Sequence, residues 1–175
     1  MEFNELIHKR RSVRKFADLP VPPAIIGQLL ESTLSAPSAR NTRTTKLLVV
    51  EDHAAIVRMA AMRDYGSAFL TAAPLVIVVL GETAKSDLWR ENCAIAATFL
   101  QLACVDAGLA SCWVHINGRP RVKTAPDAEQ ASDYLRAFLP IPSDCEALCA
   151  IAIGYSDFSP AELPPFDKSE KIIRL

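Results

Sequence analysis

The sequence predicts an α/β or α+β sandwich, a central sheet with helices on both faces, and three observations support it. Leu75-Val76-Ile77-Val78-Val79-Leu80 is an unbroken apolar run between Pro74 and Gly81, the pattern of a strand buried on both faces. Residues 87 to 107 read as one long helix that is apolar nearly all round, so more than one side of it must be covered. Shorter helical and strand-like segments flank these two, with no repeats or low-complexity tracts.

In chain order, a first helix covers about residues 3 to 10, with Phe3, Leu6 and Ile7 on one face. Pro20, Pro22 and Pro23 open a second helix, because proline suits a first turn, and Ile25, Ile26, Leu29 and Leu30 form its inner face. Leu47 to Val50 is a short buried strand. Asp52 follows as the N-cap of a helix running to about Ala61. Ser86 is available to cap the long helix and Gly108 to end it. Glu91, Asn92, Thr98 and Gln101 make that helix a poor membrane span. A strand near Cys112 to Ile116, a helix near Ala131 to Leu139 and a strand from Ala147 to Tyr155 complete the order. From Phe158 onward, Pro160, Pro164 and Pro165 indicate an extended arm.

Composition narrows the function classes. A chain of 175 residues fits one domain, residues 1–175, able to bury its own core. With 50% hydrophobic and 22% charged residues, the balance points to surface buried in an oligomer. The net charge of -1 argues against a general nucleic-acid-binding face. Glu2, Asn4, Glu5 and His8 interrupt any apolar leader, which points to the cytoplasm. Five cysteines (Cys93, Cys104, Cys112, Cys145 and Cys149) have no metal-binding or disulfide spacing, and His8, His53 and His115 are scattered. No metal is expected.

Three segments carry the candidate chemistry. Arg10-Arg11-Ser12-Val13-Arg14 puts three guanidinium groups and a hydroxyl within five residues, and a guanidinium fork matches phosphate oxygens two at a time. In an extended chain Ser12 and Arg14 share one face while Val13 points into the fold. The alternative is a set of solvated arginines complementing a helix dipole. No glycine-rich phosphate loop can be assembled from six glycines, so a phosphate here must be held by side chains. Ala36-Pro37-Ser38-Ala39-Arg40-Asn41 is a turn of small residues that lets backbone amides approach a flat ring, or an ordinary inter-helix loop. Gly108 to His115 is a glycine stop leading into a strand. Tyr65 and Phe69 are candidates for a pocket wall or for core, and Trp89 and Trp113 read as packing residues.

Together, in this order, these segments resemble the FMN-dependent nitroreductase family, in its short single-domain form. The resemblance spans essentially the whole chain. It rests on Arg-Arg-Ser-x-Arg-x-Phe (Arg10 to Phe16), Ala-Pro-Ser-x-x-Asn, the Ala73-Pro74 strand, Gly-Leu-x-Ser-Cys-Trp and Ile153-Gly154-Tyr155. It implies a three-layer α+β sandwich forming an intertwined homodimer, with FMN at the subunit interface. By position, Arg10, Arg11, Ser12 and Arg14 would hold the phosphate and ribityl end. Pro37, Ser38, Ala39 and Asn41 would approach the isoalloxazine from the other subunit, and the main chain of Val114, His115 and Ile116 would face the ring near N5.

The chemistry implied is hydride transfer from NADH or NADPH through FMN N5 to a nitroaromatic, quinone or similar conjugated acceptor, by a ping-pong mechanism. No side chain is assigned a catalytic role. Some residues depart from the pattern. Arg43-Thr44-Thr45 replaces a common Gln-Pro-Trp, and His115 stands where relatives often carry a small or acidic residue. In the arm only Lys168 or Lys171 is available to meet a phosphate. Dehalogenation, flavin fragmentation, ring dehydrogenation or a non-catalytic flavin carrier remain alternatives on the same fold.

Overall fold

The apolar periodicity and its proline and glycine punctuation become helices α1 (Phe3–Lys9), α2 (Pro23–Leu34), α3 (His53–Ala60), α4 (Trp89–Asp106) and α5 (Ala131–Arg136). The strands are β1 (Thr45–Val50), β2 (Leu75–Glu82), β3 (Ala110–His115) and β4 (Cys145–Gly154). The structure, a computed structural model, describes residues 2–161, 164, 167 and 169–175, without the Glu170 side chain. Lys168 lies outside the described residues.

The four strands form one sheet in the order β1-β2-β4-β3, and every pairing is antiparallel. The fold is therefore α+β. β2 is buried at all eight positions because helices cover both faces of the sheet. Side chains alternate across it. Val76, Val78 and Leu80 join Val114, Ala150 and Ala152 in a core shared with Ile56 and Met59 of α3 and Leu135 of α5. Leu75, Ile77 and Val79 join Ile151 and Ile153 in a second core beneath α2 and α4.

Local signals account for the element ends. Asp52 Oδ1 accepts the Ala54 and Ala55 amides at 2.7 and 3.2 Å, capping α3. Pro23 is the first residue of α2. α4 ends in a Schellman motif, with Leu109 N donating to Cys104 O at 2.7 Å and Gly108, at φ 71°, to Val105 O at 3.1 Å. Its start differs from expectation. Ser86 Oγ accepts the Leu88 amide at 3.2 Å in the preceding turn, and the helix begins at Trp89.

α4 buries Cys93, Ala96, Ala97, Leu100 and Cys104 against the sheet, whereas Ile95 and Phe99 are 39% and 37% exposed. Phe99 and Leu102 line a groove with Phe3 and Leu6 of α1. Within one chain the sheet, α2 and α1 cover part of the all-round apolar helix and leave Ile95 and Phe99 open.

Three sequence motifs meet at Gly154. A Cβ there would lie 2.7 Å from Pro74 Cδ and 3.2 Å from Phe16 Cδ1. Ala17 N also donates to Tyr155 O at 2.8 Å. These contacts tie the end of the N-terminal motif to the starts of β2 and of the C-terminal arm.

Candidate functional site

After α1 the chain runs extended along β3. Ser12 bridges Ser111 in parallel, and Val13 N donates to Ser111 O at 3.0 Å. Val13 is 6% exposed and packs into the fold, so alternation leaves Ser12 and Arg14 together on the outer side. Burial pushes the Cys112 thiol up, while Arg14, a hydrogen bond from Ser12 and the charge of Arg10 pull it the other way. Those three side chains therefore bear on the Cys112 thiol, next to the Ser12–Ser111 bridge. Arg11 turns away, with NH1 donating to Ala161 O at 2.7 Å in the C-terminal arm. Arg14 lies over the Phe69 ring, 5.7 Å from its centroid. Among the described residues, no carboxylate is ion-paired with Arg10, Arg11 or Arg14.

β3 is an edge strand, and its hydrogen-bonding parity decides what it offers. The Ser111 carbonyl faces Val13, away from β4, and the β3–β4 register is regular from Ala110 to His115. In an antiparallel ladder the main-chain groups of alternate residues face opposite ways, so those of Trp113 and His115 also face the free edge. Those of Val114 face β4, and Ile116 N donates to Leu148 O at 2.9 Å. Of Val114, His115 and Ile116, His115 presents its main chain outward.

The His115 ring is half-buried and stacks on the Trp113 indole with centroids 6.2 Å apart. Burial lowers its pKa, and the charges of Arg119 and Arg63 lower it further. All five thiols are buried and free, and burial raises each of them, Cys93 to about 11 and Cys104 to about 12, which makes them poor nucleophiles. No group of three or more potential metal ligands occurs among the described residues. Among the described residues, no helix is long and apolar enough to cross a membrane.

The turn of small residues is built differently from an ordinary loop. Ala39–Asn41 forms one 3₁₀ turn, and Arg40, Asn41 and Arg43 have φ of 53°, 54° and 48°. Left-handed backbone at non-glycine residues costs of order 1–3 kcal/mol each and persists where surroundings enforce it. Asn92 of α4, 2% exposed, enforces it here. Its Oδ1 accepts the Ala39 amide at 2.8 Å, and its Nδ2 donates to Thr44 and Thr42 hydroxyls at 3.2 and 3.4 Å.

The Arg43 departure is part of the same device. Arg43 N donates to Ser38 Oγ at 2.9 Å and Arg43 Nε to Asn41 Oδ1 at 3.2 Å, so the Ser38 and Asn41 side chains are held within the turn. Pro37 lines a small pocket with Ser38, Arg43 and Asn92. The turn leads into β1, and β1 and β3 are opposite edges of the sheet. Three strand spacings of about 4.8 Å separate them. One chain does not bring this turn to the Arg10–Arg14 segment.

Two residues escaped the sequence reading. Asn92 looked like one polar position on a long helix, and its partners lie about fifty residues away. Arg63 had no motif around it, and the fold brings it toward His115 and Arg119.

The chain is similar to an FMN-dependent nitroreductase structure from Clostridium difficile R20291, at 33% identity, covering 97% of this chain and 96% of that one with a TM-score of 0.86. It is similar to a structure from Parabacteroides distasonis, provisionally named an NADH dehydrogenase/NAD(P)H nitroreductase, at 28% identity, 98% and 96% coverage and TM-score 0.86. A Methanothermobacter thermautotrophicus protein with the same provisional name is 26% identical over 170 residues, 95% of this chain and 84% of that protein. The family model described as the nitroreductase family matches residues 7–62 and 53–155, and the chain belongs to that family.

Proposed function

We propose that the chain is an FMN-dependent oxidoreductase acting as a homodimer, each subunit one domain. It takes electrons from NADH or NADPH and gives them to a nitroaromatic, quinone or similar conjugated acceptor. One arrangement carries this reading. Ser12 bridges Ser111 at the start of β3 with Arg10 and Arg14 beside it in sequence, no carboxylate among the described residues is ion-paired with either arginine, and the free edge of the strand continues to His115.

These residues fit the cofactor. A phosphate needs cations and a hydroxyl where no glycine-rich loop exists, and a flat ring needs an exposed main-chain edge. When bound, FMN supplies the two-electron carrier chemistry that no side chain here offers. Arg10 and Ser12 hold the phosphate end, and Arg11, turned to the Ala161 carbonyl, ties down the arm and adds its charge from there. Arg14 sets a fixed positive charge that stabilises an electron-rich ring. The His115 main chain orients the ring edge, and Val114 and Ile116 keep the strand in register through their bonds into the sheet.

Pro37, Ser38, Ala39 and Asn41 serve the ring bound by a second copy, because the turn and the Arg10–Arg14 segment sit on opposite sheet edges. The exposed Phe3, Ile95 and Phe99 supply apolar surface for that contact. Burial, with the charges of Arg119 and Arg63, holds the His115 pKa below its ordinary value, and its role is assigned to the main chain.

Both substrates use one open site in turn, which predicts parallel double-reciprocal lines when NADPH or NADH oxidation is followed against a nitroaromatic or quinone. A flavin-loaded protein that turns over none of these acceptors would contradict the reading and favour a flavin carrier.

A further inference from the structure

Arg14 carries the ring-stabilising charge in the reading above, yet its side chain is exposed and has no ion-pair partner among the described residues. An unheld arginine loses rotamer freedom whenever it meets a ligand, which weakens the contact. What meets the Arg14 guanidinium in the structure is Phe69, whose ring centroid lies 5.7 Å away. Phe69 reads from the sequence as pocket wall or core, and the proposed reaction gives it no task.

Both ends of this contact are anchored. Phe69 belongs to the 3₁₀ segment Ala68–Ala72, between α3 and β2. The preceding Ser67 is buried, and its hydroxyl donates to Ala60 O at 2.8 Å or Arg63 O at 3.0 Å. The following Leu70 is buried too, and its amide donates to Ser67 O at 3.0 Å. The half-buried Phe69 ring packs against the core that α3 and α5 share with the sheet. On the other side, Arg14 follows Val13, whose amide is tied to Ser111 O of β3.

The kind of partner matters chemically. A carboxylate would cancel the charge of Arg14 and occupy its N–H fork. An aromatic face attracts a cation through its quadrupole and leaves the charge in place. Arg14 is therefore held while it stays positive and able to donate.

We propose that Phe69 is a positioning residue that holds the Arg14 guanidinium ready for the electron-rich flavin ring without neutralising it. The inference rests on the oxidoreductase reading above and deepens it by naming what keeps the ring-stabilising charge in place.

The test measures the midpoint potential of bound FMN in wild type, Phe69→Leu, Arg14→Gln and the double variant. Phe69→Leu should weaken binding of two-electron-reduced FMN, relative to oxidised FMN, by about three- to tenfold, the scale of a cation–π contact. For a two-electron couple this lowers the potential by about 15–30 mV. In the Arg14→Gln background the same exchange should shift it little, because the group being positioned is gone. Phe69→Tyr keeps a ring face and should keep the potential. Equal shifts in both backgrounds, or no shift in either, overturn the proposal.

A second measurement needs no flavin. In the flavin-free protein the Arg14 δ protons, assigned through Arg14→Gln, should carry a ring-current shift that Phe69→Tyr keeps and Phe69→Leu abolishes. Phe69→Met replaces the leucine variant if that one fails to fold. A shift that survives removal of the ring, or none in wild type, overturns the proposal. Protein that shows this shift but takes up no FMN supports the positioning of Arg14 while overturning the oxidoreductase reading, so the two failures are distinct.

Discussion

Asn92 accepts the Ala39 amide hydrogen at 2.8 Å and so fastens a strained surface turn to the buried side of α4. Its amide group also donates to Thr44 and Thr42. Asn92→Ala leaves the Ala39 amide and two hydroxyls without this partner, an expected loss of about 1–3 kcal/mol in urea unfolding. Asn92→Asp keeps the acceptor and removes the donors, so it should fall between. A loss below about 0.5 kcal/mol for the alanine variant, the range of an ordinary surface substitution, would show that the turn keeps its shape unaided.

Gly154 is the point at which Phe16 and Pro74 close on β4. Its added Cβ would stand 2.7 Å from a proline ring carbon, and a ring held between strand and turn has little room to yield. Gly154→Ala is therefore expected to destabilise by about 1–3 kcal/mol through overpacking. Thermal unfolding by circular dichroism checks this, and an unchanged midpoint would mean that the N-terminal segment shifts freely.

The His115 imidazole has a pKa below its ordinary 6.5, first through burial and then through Arg119 and Arg63. Between the folded value and about 6.5 the unfolded chain binds more protons, so stability rises with pH through that window and is lost as the pH falls through it to the folded value. NMR titration of the three histidines, with His115→Gln for assignment, measures the folded value directly. A value at or above 6.5 would remove the cationic neighbours from the account.

Arg14 and Arg11 are adjacent in the sequence pattern and differ in the structure. Arg14 bears on the Cys112 thiol, whereas Arg11 is turned to the Ala161 carbonyl. Arg14→Ala is expected to weaken FMN binding by about tenfold or more, the scale of a lost charge-assisted contact, and Arg11→Ala by less. Quenching of FMN fluorescence on titration measures both, and an unchanged affinity for Arg14→Ala would take that residue out of the site.

Much of the framework was legible because it rests on local rules. The β2 run, the Asp52 cap, the Gly108 stop and the alternation at Ser12-Val13-Arg14 each follow from residues within one turn or strand of one another. Strand order was not legible, since the all-apolar β2 reads alike in parallel and antiparallel sheets once both faces are covered. β1 begins at Thr45 because Thr45 and Lys46 pair with Gly81 and Leu80, a contact that a polar pair does not announce. Asn92 and Arg63 act through partners distant in sequence, and single buried polar residues leave no periodic trace.

The central claim is that this chain holds FMN and lets NADH or NADPH reach it. The visible absorption spectrum of the purified protein, recorded without oxygen before and after adding NADPH or NADH, tests that claim most directly. The account predicts a yellow protein that bleaches. A colourless protein that also fails to take up added FMN would contradict it.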